Sequence, residues 1–542
     1  MTMQKNAWPL EWGVALVLTL AACSLHIVFL IHAGALWRDE ANTIGLATMS
    51  SLSEVWANLQ FDSFPILWLL VVRTLAACGL AGDAALRATG FCVGLGLIAA
   101  LWFAARSLKC GFPLFSIALL ALSPSTIVWG DSMRAYGLGM CLIVVTFGLV
   151  WRFVEAPSRT LFALAALAAV CSVQTVYYNA VLLFAFCLGA VAVAVRRRAW
   201  TAGLLVLSIG ALAALSLFPY RGTIRNVGQW SALVRVPSYD FSLFWLKLNQ
   251  ALAPAGSFIV WVWLALFVAA IGVGIVSQGW PSALGITTSQ RDVALFALVT
   301  LLIGVIAYYG FLKALHYLTE PWYYVTLMTL TAVTVDALFG STLQNTPTPR
   351  VAKLALVVAI ATLSVHRAYE SCSIRLTNLD LVAAKLRQIA RPSDLVVVNP
   401  CYYGISFRRY NDSSIHWVTV PPTEVQLFHR YDLIKEAMMS ADQELAMQPV
   451  TREIQASLQA GARVFLVGQL SFLARVENVP PLPPAPQGPQ GWYAGPYLEV
   501  WGIIVARFVQ AHALHGTLVD VPSPGRVSAY ENSSLLVFEG WH

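Results

Sequence analysis

The sequence predicts a mostly α, polytopic membrane protein with a C-terminal soluble α/β domain, and three observations carry that class. Hydrophobic residues make up 58% of the chain and charged residues only 11%, against roughly 25% charged in an ordinary soluble protein. Apolar runs close to the ~20 residues that cross a bilayer recur through the first two-thirds of the chain. After Tyr369 the composition turns polar, and helical patterns alternate with short apolar strands.

Eleven spans are expected, near residues 12–33, 85–105, 112–129, 135–151, 160–175, 180–195, 200–219, 257–277, 292–312, 321–340 and 352–369. Lys5 before the first run gives that run the look of a signal peptide. Its length, with no clear small-residue cleavage site after it, reads as a retained first helix. The stretch 64–80 is also apolar, but it carries Arg73 in its middle and Pro65 at its start. Those features suit a helix lying in the interface rather than crossing. With the N-terminus cytoplasmic and 64–80 not crossing, Arg106/Lys109, Arg152/Arg159, Arg196-Arg197-Arg198, Arg291 and Arg350/Lys353 all fall on the cytoplasmic side, as basic loops should. The division expected is a transmembrane domain over 1–370 and an extracytoplasmic α/β domain over 371–542.

In the second part, 376–389 reads as an amphipathic helix, 394–399 as a buried strand and 423–440 as a helix. Helix then strand follow over 453–467, a Pro-rich extended loop over 480–490, a helix over 498–512 and a last strand over 534–538. The net charge of +7 is a topology signal and not a sign of nucleic-acid binding. The nine cysteines show no CxxC or Cys/His metal spacing, although Cys372 and Cys401 could pair in an oxidising compartment. There is no internal repeat, Walker loop or GxGxxG.

The expected outer face collects the polar residues that suggest chemistry. Trp37-Arg38-Asp39-Glu40-Ala41 follows the first span, and adjacent carboxylates at a membrane surface are costly unless solvated or used. Alone, such a pair is more often a solvated helix end. Here it is joined by Asp62, by Asp131, Arg134 and Tyr136 at the start of a later span, and by Lys313, His316 and Tyr317 after the ninth. Asp39 suits a general base. Glu40, about 100° away on a helix, is then free for a structural contact. Asp131 and Arg134, three apart, would share a helix face. That spacing fits either a plain ion pair or an arginine that holds phosphate. Lys313 and His316 add cationic groups suited to a phosphate head. The arginine triplet 196–198 reads as a topology signal.

The stretches LWRDEANTIGLA, FDSFPILWLLVVRTL, LSPSTIVWGDSMRAYGLGMCLIV and LHYLTEPWYYVTLMTL resemble bacterial members of the protein mannosyltransferase-like group. These are membrane glycosyltransferases of the C-type fold that include lipid A aminoarabinose and lipopolysaccharide sugar transferases. The resemblance covers about residues 10–370. It implies a polyprenyl-phosphate-linked sugar as donor and a lipid, glycan or protein acceptor. Transfer would be inverting, on the outer side of a bacterial inner or plasma membrane, as part of cell-envelope modification. Asp39 matches the catalytic base. Asp131 and Arg134 match the acidic and basic positions of the second loop, and Tyr317 a tyrosine near the donor phosphate; Glu40, Asp62, Tyr136, Lys313 and His316 join them as candidate substrate-binding residues. No cofactor is certain; a divalent cation, if one is bound, would sit on Asp39 and Asp131. The chain departs from its relatives at Asp131-Ser132-Met133-Arg134, where Glu-Ala-Arg is frequent, at Phe64 before Pro65, and at His316, where arginine is common. The competing reading is a transporter or flippase of lipid-linked sugars, which also needs many spans and a basic pocket but should show inverted repeats and broken helix pairs. A sensor or scaffold that binds through its C-terminal domain would leave the outer carboxylates unexplained.

Overall fold

The computed structural model describes all residues except 1–2, 231–238, 283, 317–318, 344–346, 413, 425, 470–481 and 487–492. The chain begins with a long helix, α1 (Met3–His32), followed by three short ones, α2 (Arg38–Ala47), α3 (Leu52–Asn58) and α4 (Ile66–Ala77). Next come α5 (Asp83–Ser107), α6 (Leu114–Ser116), a π-helical segment over Ile117–Ala121, α7 (Pro124–Gly130), α8 (Tyr136–Glu155), α9 (Arg159–Thr175), α10 (Asn179–Arg196) and α11 (Trp200–Ser216). Then follow α12 (Arg221–Trp230), α13 (Phe241–Leu252), α14 (Ser257–Gly279), α15 (Thr288–Leu315), α16 (Val325–Thr342) and α17 (Pro347–Cys372).

Among the described residues, nine helices are long and apolar enough to cross a membrane. Two expected spans are not among the nine. Arg159–Thr175 has 17 residues, the lower limit of about 17 for a span. The other, expected over 112–129, is broken into α6, the π segment and α7. Pro124 starts α7, where a missing N–H costs nothing. The buried carboxylate of Asp336, on α16, accepts from the N–H groups of Phe115 (2.9 Å) and Ser116 (2.7 Å), satisfying the orphan donors at the start of α6. The stretch 64–80 forms only the 12 residues of α4, capped by Pro65. At about 1.5 Å per residue such a helix falls well short of the ~30 Å hydrocarbon core. Arg73, in its middle, donates to the carbonyls of Ala47 (3.0 Å) and Met49 (2.6 Å) at the end of α2.

Charge pairs separate the two ends of the bundle. At one end Lys109 meets Glu155 (2.7 Å), Arg196 and Arg197 meet Asp292 (3.3 and 2.7 Å), and Arg350 and Lys353 meet Glu11 (3.3 and 3.1 Å). At the other, Arg134 meets Asp62 (3.1 Å), Tyr220 donates to the backbone-linked Gln174, and the C-terminal region docks.

That region contains α18 (Leu379–Ile389), β1 (Leu395–Asn399), α19 (Tyr403–Tyr410), β2 (His416–Thr419), α20 (Tyr431–Met438), α21 (Gln443–Gln459), β3 (Val464–Gly468), α22 (Gly495–His512), β4 (Ala513–Val519) and β5 (Ser534–Trp541). The five strands make one sheet in the order β2-β1-β3-β5-β4. β1 is parallel to β2 and β3, and β5 is antiparallel to β3 and β4. Residues alternate to two buried faces. Leu395, Val397, Val464 and Leu466 pack with α20, α21 and α22, while Val396, Val398, Phe465 and Val467 pack with α18 and α19. Apolar on both sides, β1 and β3 read as continuous hydrophobic runs. The 480–490 loop expectation falls mostly outside the described residues. Cys372 and Cys401 are both buried and both free thiols, not a disulfide.

Candidate active site

α2 begins where α1 has ended, and its first turn places Arg38, Asp39 and Glu40 in succession. Acidic side chains are favoured there by the exposed N–H groups of the helix start. Glu40 reaches back to the Trp37 N–H (3.2 Å), as a third-position glutamate can. Its two oxygens also accept from Arg87 Nη1 (2.6 Å) and Nη2 (2.9 Å), and Oε1 from the Met133 N–H (2.7 Å). Glu40 is fully buried and fully engaged. It ties α2 to α5 and to the turn between α7 and α8. Arg87 uses its remaining donors on the carbonyls of Gly34 (3.1 Å) and Ala35 (2.7 Å), so this guanidinium fixes the loop out of α1.

The 131–135 turn carries Asp131 and Arg134, and the two point apart. Asp131 accepts from His26 Nδ1 at 2.7 Å inside the bundle. Gly94 makes room for that contact, since a Cβ there would lie 2.1 Å from Asp131 Oδ1 and 2.5 Å from His26 Nδ1. Arg134 instead reaches Asp62 Oδ1 (3.1 Å), the Asp39 carbonyl (3.0 Å) and Thr43 Oγ1 (2.8 Å). The expected shared helix face fails because Asp131 ends α7 and Arg134 lies in a turn. The Arg134 cation lies 4.6 Å from the centre of the Phe64 ring, which meets the Tyr136 ring in a T-shaped contact with centroids 4.9 Å apart. Phe64, a departure by sequence, therefore packs directly on the arginine. Buried and aimed here, Arg134 Nε and Asp62 Oδ2 have no hydrogen-bond partner among the described residues.

Asp39 is the carboxylate that stays partly open, with its side chain 21% exposed against 0% for Glu40. His429 Nε2 lies 3.2 Å from Asp39 Oδ1, and Arg38 Nε 3.8 Å. Burial raises its pKa, but the His429 hydrogen bond and the charges of Arg134 and Arg38 outweigh that and hold Asp39 well below the usual carboxylate range. Asp62 goes the other way. Burial pushes its pKa up, and the Arg134 charge only partly offsets it.

The C-terminal region closes over α2. His429 N–H donates to Asn42 Oδ1 (2.8 Å), and Gly45 lets the backbone of Leu427 approach so closely that a Cβ would meet its carbonyl oxygen at 1.9 Å. Arg38 is held by Glu531 (N–H to Oε2, 3.0 Å) and by the Tyr530 carbonyl (2.7 Å), with its cation 4.6 Å from the Tyr402 ring. Burial lifts the Glu531 carboxyl to about 7, even with Arg38 opposing. Trp37, Trp129, Trp322 and Tyr530 pack ring against ring beside Arg38, with centroids 4.5 to 6.2 Å apart.

The sequence-predicted residues thus divide. Asp39, Asp62, Arg134 and Tyr136 come together, with Glu40 beneath them as a brace. Asp131 belongs to the His26 pair. Lys313 and His316 are exposed at the end of α15, His316 with a left-handed φ of 54°. No hydrogen bond or ion pair joins either to the Asp39 group among the described residues. Tyr317 lies outside the described residues. No group of three or more His, Cys, Asp or Glu side chains suited to a metal ion occurs among the described residues, and Asp131 is turned to His26, so Asp39 and Asp131 do not fit a shared cation. His26 and Arg87 were legible as ionisable residues inside apolar runs, which are functional or paired by default. His429, Tyr431 and Glu531 lie in polar sequence and carry no such signal.

No family model matches the chain, and no curated protein matches it. Among solved structures it is similar to ArnT from Cupriavidus metallidurans bound to undecaprenyl phosphate, at 11% identity and a TM-score of 0.49 over 97% of this chain and 98% of that one. It is also similar to the Archaeoglobus fulgidus oligosaccharyltransferase tethered with an acceptor peptide, at 11% identity and a TM-score of 0.49 over 86% of this chain and 70% of that one.

Proposed function

We propose that the protein is an integral membrane glycosyltransferase that moves a sugar from a polyprenyl-phosphate donor to an extracytoplasmic acceptor, with inversion and with Asp39 as the base. The observation that carries this reading is the pairing at one end of the bundle. A partly open carboxylate kept ionised stands beside a buried arginine that has a donor to spare. The resemblance of the Asp-Glu and Asp-x-x-Arg-x-Tyr stretches supports it.

In this reading the polyprenyl chain lies against the apolar helices and its phosphate approaches Arg134. Lys313 and His316, exposed at the end of α15, are candidate helpers, as is Tyr317 by the resemblance. The acceptor hydroxyl oxygen attacks the anomeric carbon from the face opposite the phosphate. The bond to the phosphate oxygen breaks, and its electron pair leaves with the phosphate. The hydroxyl proton passes to Asp39. Arg134 stabilises charge growing on the leaving oxygen, a contribution larger in the transition state than before it. Single displacement inverts the centre. The end carrying Lys109 and Arg197 faces the cytoplasm by the basic-loop rule, so the Asp39 end and the C-terminal domain face outward from the inner or plasma membrane.

The test is a transfer assay with purified protein, a polyprenyl-phosphate sugar and candidate acceptors. Wild type turns over, and Asp39→Asn loses about 10²-fold or more, the scale of general-base catalysis. Movement of the lipid across vesicles without loss of its sugar would favour a flippase instead.

A further inference from the structure

A second cleft lies in the C-terminal sheet, and nothing in the transfer chemistry above uses it. It has a volume of about 470 Å³ and sits at the carboxyl ends of β1 and β3. From β1 the chain crosses to β2 on one side, then returns to place β3 on the other. The gap between β1 and β3 is therefore the point where strand order reverses, which is where open parallel sheets bind small ligands. Its volume falls within the roughly 300–1,000 Å³ common for such sites.

The lining has a definite chemistry. Four tyrosines line the cleft, Tyr402, Tyr403, Tyr431 and Tyr493, of which Tyr403 donates its hydroxyl to the Tyr530 carbonyl (3.1 Å). Asn399 ends β1 and is only 5% exposed. Its amide nitrogen donates to the Gln469 carbonyl, while its Oδ1, buried beside the cleft, has no partner among the described residues. Buried polar atoms are rarely left unpaired without cause. The single ionisable group besides the phenols is Glu499, in the second turn of α22, and no lysine or arginine is among the described lining residues. The cleft thus offers aromatic surface and neutral hydrogen-bonding groups, and it disfavours anions.

The cleft also shares a wall with Asp39. Tyr431 stacks on His429, with ring centres 5.2 Å apart and planes 15° apart, and His429 Nε2 touches the Asp39 carboxylate at 3.2 Å. Tyr402 and Tyr403 hold the Arg38 cation, at 4.6 and 5.7 Å. Arg134, in the turn between α7 and α8, and Asp62, in the loop before α4, form the phosphate side and meet α2 from the N-terminal part of the chain. We infer that this cleft binds an uncharged, hydroxyl-rich sugar unit, the glycan part of the acceptor, and delivers its hydroxyl toward Asp39. The cleft's role as acceptor site rests on the transferase reading; its affinity for sugar does not.

Saturation-transfer NMR on the full chain in detergent separates the two, with N,N′-diacetylchitobiose, maltose and inorganic phosphate as probes. At least one disaccharide should receive saturation from wild type and equally from Asp39→Asn, while phosphate does not displace it. Leu498→Trp, which fills the cleft, and Tyr493→Ala, on an exposed ring, should each cut that signal at least fivefold with the melting temperature kept. Absence of any sugar signal, or a signal unchanged in both variants, overturns the inference. So does displacement of the disaccharide by a polyprenyl-phosphate sugar, which would assign the cleft to the donor. Sugar binding in a protein that transfers nothing would sink the transferase reading and leave the cleft standing.

Discussion

Asp39 and Glu40 are neighbours of the same charge with opposite fates. Glu40 is buried under Arg87 and two backbone N–H donors, whereas Asp39 keeps an opening and a charge. Two predictions belong here. His429→Ala removes both the hydrogen bond and the cationic neighbour that pull the Asp39 pKa down, so that pKa rises. In wild type Asp39 stays ionised below the ordinary carboxylate range. In the variant the acid limb of kcat/KM should shift to higher pH, measured as a pH profile. Glu531 carries the opposite sign. Its folded pKa of about 7 lies above its ordinary 4.5, so ionisation opposes folding across that window. Stability should rise as pH falls from 7 toward 4.5, and Glu531→Gln should flatten that slope in thermal melts. The Asp-Glu pair was visible in the sequence because charge is rare beside an apolar run. Which of the two stays open was not, since that depends on Arg87 from a distant helix.

At the scale of elements, the site is a junction of α2, α5 and the turn between α7 and α8. Removing one partner of a buried ion pair strands the other, at a cost of about 3–5 kcal/mol. Arg87→Met should therefore lower stability by that amount, read by denaturation in detergent. The paired change Glu40→Gln with Arg87→Met should recover much of the loss. The short α4 was legible, because Arg73 and Pro65 mark a helix unfit to cross. The break between α6 and α7 was not. The apolar run over 112–129 carries no mark of the Asp336 carboxylate that caps α6 from α16. The Asp131–Arg134 pairing failed for a related reason. Spacing of three means a shared face only on a continuous helix, and the chain turns between them. Strands β1 and β3 stood out as apolar runs, whereas β2 has only four residues and β4 is largely exposed, and edge strands leave little hydrophobic pattern to read.

Across the whole molecule, polar groups from residue 38 to residue 531 meet at one end of a helical bundle, with basic loops paired at the other. The sidedness assigned to those ends is testable with thiols. Cys78 is exposed in the loop after α4, so a membrane-impermeant maleimide added to intact spheroplasts should label it. Ser158→Cys, with Cys78 and Cys92 replaced, should react only after permeabilisation. The contacts that bring His429 and Glu531 onto α2 span hundreds of residues and leave no trace in local composition, so the C-terminal domain's part in the site emerged only from the fold. The most direct test of the central claim is a density map of the protein with polyprenyl phosphate bound. The account predicts the phosphate within hydrogen-bond reach of Arg134, at the Asp39 end. A head group held instead at the opposite end, among Lys109 and Arg197, would contradict it.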